Sequence, residues 1–244
     1  MSKLATFLVL ASGVATHAGA AEAPFPRPNP SATLEEQTTT QDDEPSETTE
    51  PTKTVLPPVD EAAIAECERQ LRALGAQFER LSPIEGYDGC GVNAPYQLNA
   101  VVPGVVLQPA SQITCDTALA LSQWVTNSVN PAAEALGADV RLTRIDHGST
   151  YICRKRNNQA NGKISEHALG RAIDVVSFRF DGHDSIAVVP RAGDGNLKES
   201  FQRAVRGGAC LYFTTVLGPG SDAFHNDHMH LDTLSRNGGY RLCQ

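Results

Sequence analysis

Six cysteines, Cys67, Cys90, Cys115, Cys153, Cys210 and Cys243, follow an N-terminus that reads as an export signal, and this pairing limits what the 244-residue chain can fold into. In Met1–Ala20, Lys3 supplies the positive start, Leu4–Val14 the apolar core and Ala18-Gly19-Ala20 the small residues that a signal peptidase needs. The apolar run falls short of the roughly 20 residues of a membrane span, and no later stretch is long or apolar enough for one. The expected location is periplasmic or secreted, with no stable membrane span after signal cleavage. In an oxidising compartment an even number of cysteines reads as a disulfide framework. No Cys-x-x-Cys occurs, so neither a zinc knuckle nor a thioredoxin-like pair is indicated. Six cysteines allow about fifteen pairings; nearest neighbours taken in order give Cys67–Cys90, Cys115–Cys153 and Cys210–Cys243.

Composition then divides the chain. Residues 21–58 hold eight of the fifteen prolines, with Ser, Thr, Glu and Gln dominating, and read as a disordered acidic linker that buries too little to offset its ordering entropy. Residues 59–244 form the expected single domain. Its 20 acids and 17 bases are nearly balanced, which argues against a nucleic-acid partner. Asp60 can cap a helix running to about Leu74, where Gly75 stops it. A second helix opens at Thr114 or Asp116 and runs to Val129, and residues 131–136 continue it after a break. Short strands are expected at Tyr96–Val102, Val105–Leu107, Val140–Asp146, Ala172–Phe178, Leu211–Val216 and His228–Leu231, with a short helix at Glu199–Arg206. Helices first and strands later point to an α+β fold with a small, mainly antiparallel sheet, helices packed on it and disulfides stapling it.

Five of the seven histidines crowd the second half of the domain: His167, His183, His225, His228 and His230. Asp174 lies among Ile173, Val175 and Val176, where a carboxylate is costly to bury unless a cation or metal compensates it. On a strand, His228 and His230 face the same side, and His225 arrives from the loop before them. Two imidazoles, a carboxylate and one open position form a ligand set that catalytic zinc takes. His147 reads as a packed histidine at a strand end, and His183 as a turn residue.

Ser165-x-His167-x6-Asp174 followed by His228-x-His230 resembles the paired signature of zinc peptidases that cut wall peptides containing D-amino acids. Those are the D-Ala-D-Ala carboxypeptidases and dipeptidases and the penicillin-insensitive murein endopeptidases, which share a fold with the hedgehog signalling domain. From about Cys67 to Cys243 the chain resembles more closely the bacterial extensin-like C-terminal domain family. The resemblance implies one catalytic Zn2+ held by His167, Asp174 and His230, with His228 beside the metal stabilising developing negative charge. The carboxypeptidases place a glutamate base three residues before that position; here His225 stands there, as in the endopeptidase pattern, and is the implied proton acceptor, with Glu166 and Asp227 also near in sequence. Ser149–Arg154 resembles a Tyr-Arg segment lining the substrate cleft, so Arg154, Tyr151 and Ser165 are the expected substrate-binding residues.

The function implied is an exported zinc-dependent peptidase that hydrolyses amide bonds in peptidoglycan stem peptides or crosslinks. The alternatives are a wall-associated binding or structural domain that keeps the fold without turnover, and a disulfide-stapled interaction module with no metal.

Overall fold

The computed structural model describes residues 50–159 and 161–244. The export signal expected over 1–20, and the linker up to residue 49, lie outside the described residues. The end of the stretch read as linker is bound to the domain: Lys53 bridges Tyr87, the Thr54 N–H donates to the Gly86 carbonyl, and Asn93 donates to the Pro57 carbonyl. An acidic, proline-rich composition did not keep these last residues free, because each finds a partner in the 84–93 loop.

Helix α1 (Glu61–Ala73) begins at Asp60, whose carboxylate accepts from the Ala62 and Ala63 N–H groups at 3.0 Å each. Cys67 and Leu71, one turn apart, give it a buried stripe. Replacing Asp60 with alanine orphans two first-turn donors and is expected to cost about 0.5–2 kcal/mol. Thermal unfolding should show it as a fall of a few degrees, at about 2–4 °C per kcal/mol for a domain this size.

Helix α2 (Cys115–Trp124) passes through a π-helical turn (Val125–Val129) into α3 (Asn130–Glu134); the break expected after Val129 is absent, and the irregularity lies one turn earlier. Pro131 stands in the first turn of α3, where its missing N–H costs least. Helix α4 (Leu197–Ala209) is capped by Asn196, whose side chain accepts from the Glu199 N–H.

Among the described residues, nine strands build one mixed sheet: β1 (Gln77–Arg80), β2 (Tyr96–Val102), β3 (Val105–Gln108), β4 (Arg141–Ser149), β5 (Ala172–Asp181), β6 (Ile186–Ala187), β7 (Thr215–Leu217), β8 (Met229–Asp232) and β9 (Leu242–Cys243). Their order is β1-β2-β3-β4-β5-β8-β7-β9, with β6 beside β5. Pairing is antiparallel except at β3–β4 and β7–β9. The α+β class and the mainly antiparallel pairing agree with expectation; the sheet is larger than expected, since β1, β6 and β9 are too short to leave a periodic signal. The strand expected at Leu211–Val216 begins only at Thr215. Before it, the N–H groups of Tyr212 and Phe213 turn back onto the Ala209 carbonyl, and the fully buried Phe213 goes under Trp124. Tertiary packing there overrides a β-favouring composition.

Trp124 centres the core. Its ring meets Phe178 and Phe213 edge-on at 6.0 and 6.3 Å, and its indole N–H donates to the Val205 carbonyl at 2.8 Å. On β5 and β8 the side chains alternate: Ile173, Val175, Met229 and Leu231 join this core, which turns Asp174, His230 and Asp232 to the other face.

Three disulfides staple the unit, and two of the three nearest-neighbour pairings are corrected. Cys67 bonds Cys115 and Cys90 bonds Cys153, whereas Cys210–Cys243 is as expected. Short loops are favoured only in the open chain; in the folded one, Cys67 on the buried stripe of α1 lies against the first residue of α2, with Cα atoms 6.3 Å apart. Such staples fit an extracellular or periplasmic protein. Among the described residues, no helix is long and apolar enough to cross a membrane.

Candidate metal centre

Three separate pieces of chain deliver the site. The first is a one-turn 3-10 helix, Glu166–Leu169, opened by Ser165, whose hydroxyl accepts from the His167 N–H at 3.4 Å. Gly170 closes the turn at φ +66°, a left-handed conformation that glycine adopts without strain. A Cβ there would also stand 3.0 Å from the Val92 side chain. The chain can thus reverse at once into β5, the second piece, which carries Asp174. The third is β8, where His230 pairs directly across from Asp174. On one face of an antiparallel ladder such partners touch.

The three tips form a nearly equilateral triangle. His167 Nε2 is 3.2 Å from Asp174 Oδ1 and 3.1 Å from His230 Nδ1, and His230 Nδ1 is 3.0 Å from Asp174 Oδ1. Among the described residues these three form the group whose donor atoms converge closely enough to hold an ion. His167 is fully buried and Asp174 is 8% exposed, so water cannot solvate the trio from behind.

Each ligand is held from outside. His167 Nδ1 lies 2.6 Å from the Thr150 carbonyl, an acceptor only, so this nitrogen carries the proton and Nε2 points its lone pair inward. Asp174 Oδ2 accepts from the Ser149 hydroxyl at 2.5 Å. His230 Nε2 faces Asp232 Oδ2 at 3.2 Å, so in the neutral ring the inner nitrogen carries the lone pair. The trio therefore demands positive charge. Burial opposes charge on both partners, yet the His167 and His230 rings hold the Asp174 carboxyl well below the usual carboxylate range, and Asp174 with Asp232 raises His230 to about 9. A proton or a cation meets the same demand.

The triangle opens into a cleft of about 190 Å³. His225 and His228 line it, with their rings 5.1 Å apart and His225 5.8 Å from His230. His225 Nδ1 is tied to Asp222 at 2.7 Å, and burial lowers its pKa more than that carboxylate restores it. His228 Nδ1 is tied to Asp227 at 2.8 Å, while its Nε2 stands 3.7 Å from Asp174. Arg154 and Ser165 also line the cleft; Tyr151 is not among its lining residues. Arg154 makes no side-chain hydrogen bond or ion pair among the described residues, whereas Ser165 is occupied as a cap. His147 is buried, with Nε2 donating to the Pro109 carbonyl, and His183 bonds the carbonyl of the next residue in a turn; both lie outside the cleft.

Sequence reasoning missed Glu166 as the buried partner of Arg156, and Asp222 and Asp232 as the carboxylates behind His225 and His230. The spacing of Asp232, two residues after His230 on one strand, was the available signal.

A family model describing the extensin-like protein C-terminus matches residues 65–244. Neither a curated protein nor a solved structure matches the chain.

Proposed function

The chain belongs to the extensin-like protein C-terminus family, and on that premise we propose that it is an exported zinc-dependent peptidase acting on amide bonds of peptidoglycan stem peptides or crosslinks. One observation carries the proposal: two imidazole lone pairs and a carboxylate oxygen converge within 3.0–3.2 Å, with their outer nitrogens already committed to acceptors. Three acceptors facing one another at this depth repel unless a proton or a cation sits among them. The donor set fits zinc, because bonds of about 2.0–2.1 Å space tetrahedral ligands about 3.3–3.4 Å apart, close to the triangle seen. The hedgehog and D-Ala-D-Ala-peptidase likeness of the motif spacing points to the same ligands.

Zinc held by His167, Asp174 and His230 would supply a Lewis acid and a water whose pKa falls to about 7. The remaining chemistry falls to the chain. With Nδ1–H held by Asp222, His225 keeps Nε2 basic and accepts the proton of the attacking water. His228, on the open side of the triangle, stabilises the negative charge that develops on the amide oxygen. Arg154, whose fork of donors is uncommitted among the described residues, holds a substrate carboxylate or carbonyl.

A binding domain without turnover is the competing reading. It is favoured by the commitment of three of the carboxylates lining the cleft, Asp174 to the trio, Asp222 to His225 and Asp232 to His230, while Glu166 gives one oxygen to Arg156. Digestion of purified peptidoglycan decides between them. The peptidase should release muropeptides, stop when a chelator is added and resume when zinc is restored. A zinc-loaded protein that sediments with walls of several crosslink types and releases nothing would establish the binding domain instead.

A further inference from the structure

The two imidazoles of the trio are backed differently. His167 leans on a neutral carbonyl, but His230 leans on Asp232, a carboxylate 4% exposed. Asp232 is itself braced. Its Oδ1 accepts from the Leu234 N–H at 3.0 Å, and the hydroxyl of Thr215, its cross-strand partner on β7, favours its charged form. The Thr215 oxygen accepts from Arg236 Nη2 at 2.6 Å, which leaves the hydroxyl proton to turn toward Asp232. Arg236 is anchored by its other branch on the Thr214 carbonyl. Donors thus converge on Asp232 from two sides, His230 Nε2 from the metal face and the Leu234 N–H from the chain beyond, with Arg236 orienting the Thr215 hydroxyl beside it.

We infer that Asp232, oriented by Thr215 and Arg236, is a positioning residue that locks His230 with its Nδ1 lone pair toward the ion and strengthens that ligand's hold. The inference rests on the metal centre proposed above. Two effects combine. A carboxylate behind an imidazole fixes the tautomer and raises the basicity of the ligating nitrogen. It also completes the charge balance: a divalent ion with Asp174 alone leaves one positive charge in a buried place, and Asp232 cancels it.

Asp232→Asn separates this role from a structural one, because the amide oxygen can still accept from Leu234. The amide NH2 then faces His230 Nε2, and two donors cannot share that contact. The ring must turn its proton to Nδ1, against the ion, or lose its outer bond.

Chelator competition on the full protein measures the effect. Zinc affinity should fall about 10–100-fold in Asp232→Asn, while the melting temperature of the metal-free protein stays within a few degrees of wild type. Thr215→Val should weaken zinc in the same direction by less. Nitrogen-15 spectra of the metal-free wild type above pH 9 should show His230 protonated at Nε2. Zinc affinity within about twofold of wild type, or a His230 proton found on Nδ1, overturns the inference and leaves the metal centre standing. A wild-type chain that takes up no zinc overturns both; one that binds zinc but cuts no wall overturns only the peptidase. If Asp232→Asn does not fold, Thr215→Val and the wild-type spectra decide alone.

Discussion

The His167→Ala variant is expected to purify without metal where wild type carries about one zinc per chain, three protein ligands being the usual complement of such an ion. No neighbour can replace this ligand. The ring is fully buried, its Nδ1 is pinned to the Thr150 carbonyl, and its Nε2 occupies one corner of a triangle with edges near 3 Å. The loss should exceed the roughly 10–100-fold that removing an outer partner costs, since a first contact to the ion disappears along with the site's charge symmetry. Release of muropeptides should fall with it. The substitution also orphans a buried carbonyl, a cost of about 1–3 kcal/mol, so folding is checked by the melting curve and by retention of all three disulfides. His230→Ala is the parallel test, from a less buried corner. His183→Ala serves as the control, because that ring sits in a turn outside the cleft and should leave zinc content unchanged. Full zinc occupancy in both His167→Ala and His230→Ala would remove the metal centre and everything built on it.

How the site came to be legible follows from which of its features are local. A histidine before a strand, a carboxylate marooned among Ile173, Val175 and Val176, and a second histidine on a strand are one-dimensional patterns, and strand periodicity fixes the face on which Asp174 and His230 lie, whereas His228, expected on the same strand, stands in the bend just before β8. Asp174 and His230 therefore meet as cross-strand partners, and His167 joins them because Gly170 turns the chain in a single step. The outer partners were not legible in the same way. The Thr150 carbonyl is a backbone group, and any residue type would present it. Asp222 reaches His225 through a loop whose path no periodicity describes. Disulfide pairing failed for a related reason: Cys67–Cys115 and Cys90–Cys153 are set by how α1 meets α2 and how the 84–93 loop crosses the end of β4, which are relations between elements. Phe213 shows the opposite error, where residues suited to a strand were drawn into the core by the indole above them.

The His228→Ala and His225→Ala variants should keep their zinc and lose hydrolysis, because neither ring is a corner of the triangle. Removing one donor to a developing oxyanion costs about 10²–10³ in kcat, and removing a proton acceptor costs about 10²–10⁴. Zinc content and rate, measured on the same preparations, separate these roles from that of His167. The pH profile then separates the two histidines from each other. His225 acts in its neutral form, so the acid limb of kcat/KM follows its pKa, which burial holds below the ordinary 6.5 despite Asp222. His225→Glu installs a carboxylate base with a reference pKa near 4.3, which the carboxypeptidase pattern carries at this position. A new carboxylate beside Asp222 pays for that proximity in repulsion, which raises its pKa. The acid limb should therefore move down, by less than the difference between the two reference values, and activity should recover in part relative to His225→Ala. His228→Ala should leave the acid limb where wild type has it and lower the plateau alone. If His225→Glu leaves the limb in place while the rate recovers, His225 is not the proton acceptor, and the role passes to another group in the cleft.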